Sequence, residues 1–165
     1  MAMTIEPQGQ SATRRRYFTV ESANRMLPLV RSIVRDFVRE FARYKRLSER
    51  MGVLSRIPKS KLMDSHREEV EQVESEWHRC GTRCRELLNE LNNLGVEVKG
   101  TEGLVDFPAL LEGREIYLCW KYDEPEILYW HEKDAGFVGR QPVTEEFRIR
   151  VAASASGQKD AERSE

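Results

Sequence analysis

Between Met63 and Leu94 the chain places an apolar side chain every three or four residues: Met63, Val70, Val73, Trp77, Cys80, Cys84, Leu87, Leu91 and Leu94, with His66 as the single polar member. Steps of three and four average 3.5 residues per turn, the rhythm that keeps one stripe of a long helix against a partner helix. At 1.5 Å per residue the stripe is roughly 45 to 50 Å long. A helix of that length with one apolar stripe needs a second helix to cover it. The partner lies upstream, where Met26, Val30, Ile33, Phe37, Phe41, Tyr44, Leu47, Met51 and Leu54 keep the same rhythm. Leu27, Val34 and Val38 widen that stripe, and the excess apolar face predicts a second hairpin packed against it in a homodimer. Thr19 is a suitable N-cap, with Phe18 before it and Ser22 at the third helical position. Pro28 removes one intrahelical hydrogen bond and predicts a kink or a break near Leu27. Gly52 and Pro58 would close the first helix, and Gly95 the second.

After Gly95 the period drops from 3.6 to 2. Val96 to Lys99, Leu104 to Phe107, Ile116 to Lys121 and Ile127 to Glu132 are short segments separated by Gly, Pro, Asp and Glu, which predicts an antiparallel meander. Pairing Lys121 with Ile127 puts Ile116, Leu118, Trp120, Leu128 and Trp130 on one face and Tyr117, Cys119, Tyr129 and His131 on the other. A shift of one residue would mix polar and apolar side chains on both faces. The fold class that follows is α+β: a long antiparallel, coiled-coil-like helical hairpin followed by a small antiparallel sheet. The expected organisation is a disordered tail over 1–16, a single domain over 17–148 and a disordered tail over 149–165. Within the domain, helix one takes 17–56, helix two 58–94, and the meander and a loop 95–148.

A net charge of -1 gives no global pull toward nucleic acid or anionic lipid. No apolar run approaches the ~20 residues of a membrane span, and nothing near the N-terminus reads as a signal peptide, so the expected location is cytoplasmic, away from membranes. Three cysteines make no disulfide framework. The charge is segregated, with 12 Lys/Arg against 4 Asp/Glu over Arg14 to Arg56. Arg31, Arg35, Arg39 and Arg43, four residues apart, form one basic ridge on helix one. Glu68, Glu69, Glu71, Glu74 and Glu76 answer it on helix two. The ridge is a candidate interaction surface, but no aromatic platform or helix-turn-helix pattern accompanies it, so nucleic acid is not the expected partner.

The chemistry-bearing residues lie in the β part. Tyr117, Cys119, Tyr129, His131, Glu132 and Arg140 form a candidate ligand site. Cys119 and His131, with Asp106 on a neighbouring segment and Asp134 close by, offer the S, N and O donors that a divalent transition metal accepts. His131 and Glu132 are adjacent on a strand and point to opposite faces, so both cannot reach one ion unless the strand ends or bulges. Gly136 and Gly139 allow a loop from which Arg140 presents a forked donor to an anion. No Ser or Cys stands at a nucleophile elbow, no organic cofactor motif is present, and the reading is non-catalytic.

The chain resembles an uncharacterised family of small bacterial proteins. The resemblance rests on Phe18 to Asn24 with Leu27 and Pro28, on Gly103 to Ala109, Cys119 and Trp120, Glu124 and Pro125, Trp130 to Glu132, and Gly139 to Pro142. It spans about Tyr17 to Val143 and implies no activity. The expected function is therefore an oligomeric interaction or scaffold module built on the hairpin. The alternatives are a small-ligand- or metal-binding protein, or an enzyme, with its site on the sheet face around Cys119 and His131, and nucleic-acid binding through the ridge.

Overall fold

A computed structural model describes residues 15–61 and 63–161, without the side chains of Lys59 and 157–161. Two long helices, α1 (Val20–Leu54) and α2 (Asp64–Asn93), form the hairpin. Five strands follow in the order β1 (Glu97–Lys99), β2 (Leu104–Leu111), β3 (Arg114–Lys121), β4 (Tyr129–Glu132) and β5 (Gln141–Pro142), and a third helix, α3 (Glu145–Ala161), closes the chain. The sheet is an antiparallel meander with strands in sequence order. The α+β architecture is the expected one.

Local chemistry sets the helix ends. Thr19 and Ser22 exchange side-chain and backbone hydrogen bonds in a capping box, Ser22 doing the work that Glu or Gln does elsewhere. The expected break at Pro28 does not occur, and α1 runs through it. Pro28 faces solvent, where water can take up the Asn24 carbonyl freed by the missing N–H. Helix one also continues past Gly52, and α2 starts at Asp64 rather than 58.

The meander keeps the register read from side-chain parity, with Tyr117 opposite His131 and Cys119 opposite Tyr129. β2 and β3 are longer than the sequence suggested because Glu112 and Gly113, at φ +53° and +78°, close a two-residue hairpin. Both central residues of such a turn need positive φ, which Gly113 adopts freely and Glu112 under strain.

One face of the sheet, carrying Val105, Phe107, Ala109, Ile116, Leu118 and Trp120, packs into a core with Val20, Leu27, Val30, Val34, Leu87 and Leu91. Polar contacts dock α1 onto the sheet as well. The Arg31 guanidinium donates to the carbonyls of Glu124 (3.0 Å) and Pro125 (3.1 Å) and lies 5.6 Å from the Trp120 ring centre, while Asn24 Oδ1 accepts from Ile127 N–H at 2.8 Å.

Three expectations are overturned here. Leu27 and Val34 are buried and Val38 packs against the same core, so the face assigned to a dimer is covered by the chain's own sheet. The region expected as a disordered tail from 149 is helical as far as Ala161. Phe147 stacks on Trp130 with centroids 4.8 Å apart and Val151 is buried, which holds α3 in place. Lastly, Arg15 is not part of a loose tail: it donates to Tyr117 Oη at 2.9 Å and pairs with Glu97 and Glu115. The rest of the expected N-terminal tail, apart from Arg16, lies outside the described residues.

Candidate metal centre

Alternation along β2, β3 and β4 places Asp106, Cys119, Tyr129, Tyr117 and His131 on the sheet face turned away from the helices. Asp106 is the cross-strand partner of Cys119, and Cys119 of Tyr129. Although no α-helix among the described residues covers this face, Asp106, Cys119 and His131 are 2%, 0% and 2% exposed. Their cover is made of side chains. The Tyr117 ring packs on the His131 ring at 5.5 Å, and Arg140 lies 4.1 Å from the centre of the Tyr129 ring and 4.8 Å from that of Phe137.

Among the described residues, Asp106, Cys119 and His131 are the one group of three metal-ligating side chains whose donor atoms all lie within 4.8 Å of one another. His131 decides what the group can hold. Its Nδ1 lies 2.7 Å from the Glu132 carbonyl oxygen and its Nε2 3.0 Å from Asp106 Oδ1. A carbonyl only accepts, so Nδ1 carries a proton, and in a neutral ring Nε2 then presents a lone pair. That lone pair faces a carboxylate oxygen, an arrangement of two acceptors that needs a positive centre between them. A proton can serve, and so can a metal ion. An Nδ1–H held by a backbone carbonyl is also how metal-binding histidines are commonly oriented.

Cys119 is not an activated nucleophile. Burial, reinforced by the Asp106 carboxylate, pushes its thiol up to about 12, the opposite of what a reactive thiolate requires. Arg140 is held against this residue by hydrogen bonds to the Cys119 carbonyl (3.2 Å) and to Glu124 Oε2 (2.7 Å). Burial works against the Arg140 charge more than any single contact favours it, but the Glu124 hydrogen bond and charge together with Cys119 raise its pKa overall. Gly139 is what lets the loop deliver Arg140 there, because a Cβ at 139 would lie 2.5 Å from the Ala135 Cβ.

Of the six residues expected at a ligand site, Tyr117, Cys119, Tyr129, His131 and Arg140 are brought together. Glu132 is not, since its side chain leaves on the opposite face and pairs with Arg114 at 2.8 Å. Only its carbonyl takes part. Asp134 is exposed, and Asp106 supplies the oxygen donor instead. Arg15 and Glu97, which tie down Tyr117 and the rim of β1, carried no sequence signal.

The arginine ridge is divided by the fold. Arg31 docks on the sheet, Arg35 pairs with neighbouring Asp36 and Arg43 reaches Glu76 across the hairpin, leaving Arg39 exposed. Arg50 likewise pairs with Glu69. Arg43–Glu76 and Arg50–Glu69 are interhelical pairs of the kind expected of an antiparallel hairpin.

No described helix is long and apolar enough to cross a membrane. No curated protein and no solved structure matches the chain. Residues 16–143 match a family described as "Uncharacterized conserved protein (DUF2203)". That span takes in the hairpin, the whole sheet and Asp106, Cys119, His131 and Arg140, and the chain belongs to this uncharacterised conserved family.

Proposed function

We propose that this is a metal-binding protein that holds one divalent transition ion between His131 Nε2, Cys119 Sγ and the Asp106 carboxylate. The observation that carries the reading is the pair of facing acceptors, His131 Nε2 and Asp106 Oδ1 at 3.0 Å, with a cysteine converging on them from the next strand. A proton between His131 and Asp106, with the Cys119 thiol hydrogen-bonded to the Asp106 carboxylate, would also satisfy the three groups, so metal analysis is the measurement that separates the two. Mixed S, N and O donors suit zinc and its neighbours, whereas an all-oxygen shell would suit magnesium or calcium. Mass-spectrometric metal analysis of untagged protein, dialysed against zinc and then desalted, is expected to find one ion per chain. His131→Ala and Cys119→Ser are each expected to lose it. A wild-type protein that leaves zinc dialysis without bound metal would overturn the reading.

The hairpin supports a second role, in association. No side chain of α1 beyond Phe37 is buried, nor any of α2 before Val73, so among the described residues the outer half of the arm is covered by its own two helices. At its tip Val53, Ile57 and Met63 are exposed, which favours a contact with another chain. Light scattering should then give a mass twice that of the chain, falling to a single chain in the Val53→Asp, Met63→Asp double variant. A monomeric wild type, or an undisturbed dimer in that variant, would rule this contact out.

A further inference from the structure

We infer that the ion's remaining coordination position takes an oxygen of a small oxyanion, a carboxylate or phosphate, bound beside Arg140; the inference rests on the metal reading above. Three protein donors leave a four-coordinate ion of this class one place for an exogenous ligand. The neighbouring cation is built for an anion. Two of the hydrogen bonds of Arg140 go to the Cys119 carbonyl and to Glu124. Its Nε–H, however, is buried and has no hydrogen-bond partner among the described residues. A buried orphan donor on a charged group is costly, and an oxyanion oxygen is the acceptor such a donor binds best.

The surroundings supply room and a second charge. Leu104 and Lys121 form the next cross-strand pair but one along β2 and β3 from Asp106 and Cys119. Together with Glu102 and Phe137 they line a depression of about 180 Å³ on this part of the sheet. Phe137 is shared between the depression and Arg140, whose guanidinium stacks on it. Lys121 forms no salt bridge with the described carboxylates, while its backbone N–H donates to Glu124 Oε2 at 2.8 Å, the same oxygen that Arg140 holds. The three donors and Arg140 do not themselves line this depression, which borders Arg140 through Phe137; an anion on the ion and Arg140 has Lys121 on that side. With a dication, a thiolate and a carboxylate neutral in sum, Glu124 balancing Arg140, and Glu102 lining the same depression as Lys121, the anion is held by the ion and the Arg140 Nε–H rather than by a surplus of positive charge.

Cobalt makes the two claims separable, because its visible absorption reports both its presence at a site and any change in its ligands. The metal-depleted full chain would be loaded with Co²⁺ and titrated with acetate and with inorganic phosphate. A saturable spectral change is expected with at least one of them. Arg140→Gln is expected to weaken the anion by about tenfold or more, the loss of one charge-assisted hydrogen bond, and Lys121→Gln severalfold. Should Arg140→Gln fail to fold, the Lys121→Gln titration decides. Bound cobalt whose spectrum neither anion moves would overturn the inference and leave the metal reading standing, as would variants that bind the anion as well as wild type. Failure to bind cobalt at all would remove both.

Discussion

Zinc affinity is expected to climb with pH by about tenfold per unit for the proton that Cys119 must release, because a thiol binds metal as the thiolate. The slope persists far above neutrality, since burial and the Asp106 carboxylate push the Cys119 thiol up to about 12. The sign for stability follows from the same shift. A thiol whose folded pKa is raised stabilises the metal-free fold fully below its ordinary value of 9.0, and this contribution is lost as pH rises from there to about 12. The metal-free protein should therefore lose stability across that alkaline window, while the zinc-loaded protein, with the thiolate already a ligand, should not lose this part. Competition with a chromophoric chelator at several pH values measures the first effect, and denaturant midpoints with and without zinc measure the second. Cys119→Ser, which loses the ion, should also lose the alkaline fall in stability of the metal-free protein. A zinc affinity independent of pH would show that Cys119 is not a ligand.

Trp120→Ala is expected to remove about 3–5 kcal/mol of folding stability, the range for truncating a buried large aromatic, out of the ~5–15 kcal/mol a domain has in total. Trp120 is fully buried, its Nε1–H donates to the Glu124 carbonyl at 3.0 Å, and Arg31 packs over its ring. Truncation leaves a cavity where β3 meets α1 and frees the turn that carries Glu124. Glu124 in turn holds Arg140 against Cys119, so metal or oxyanion binding should weaken along with stability. Trp77, half-buried on the projecting arm, is the control, and its alanine variant should lose distinctly less. Urea denaturation of the three proteins makes the comparison. A Trp120→Ala loss below about 1 kcal/mol would mean that the site relaxes to fill the cavity.

Much of the fold was legible because it is written locally. The 3.5-residue rhythm through Val73, Trp77, Cys84 and Leu91 requires a partner helix, and the parity of Ile116, Leu118 and Trp120 against Tyr117 and Cys119 selects one strand register. The same parity separates His131 from Glu132, and the structure sends Glu132 to Arg114. The two-residue turn at Glu112 and Gly113 was harder to see, since Glu rarely adopts positive φ. Helix α3 was missed because Ala152, Ser154 and Ser156 give it no apolar stripe, and Phe147 and Val151 gain their burial from a sheet distant in sequence.

What the sequence by itself determined is the set of elements and the face each residue shares, because helical and strand periodicities depend only on neighbours along the chain. Which surface covers each face was decided by the tertiary structure. Leu27 and Val34 carry the same apolar signal whether a second molecule or the chain's own sheet lies against them, and only packing sent them to the sheet. The metal candidate divides the same way. Cys119, His131 and Asp106 were visible as donors, but these three, the Glu132 carbonyl that orients the imidazole and the orphaned Arg140 Nε–H come from four separate segments. Their convergence depends on strand order and on a loop that passes Ala135 at close range, and neither leaves a local trace in composition or spacing.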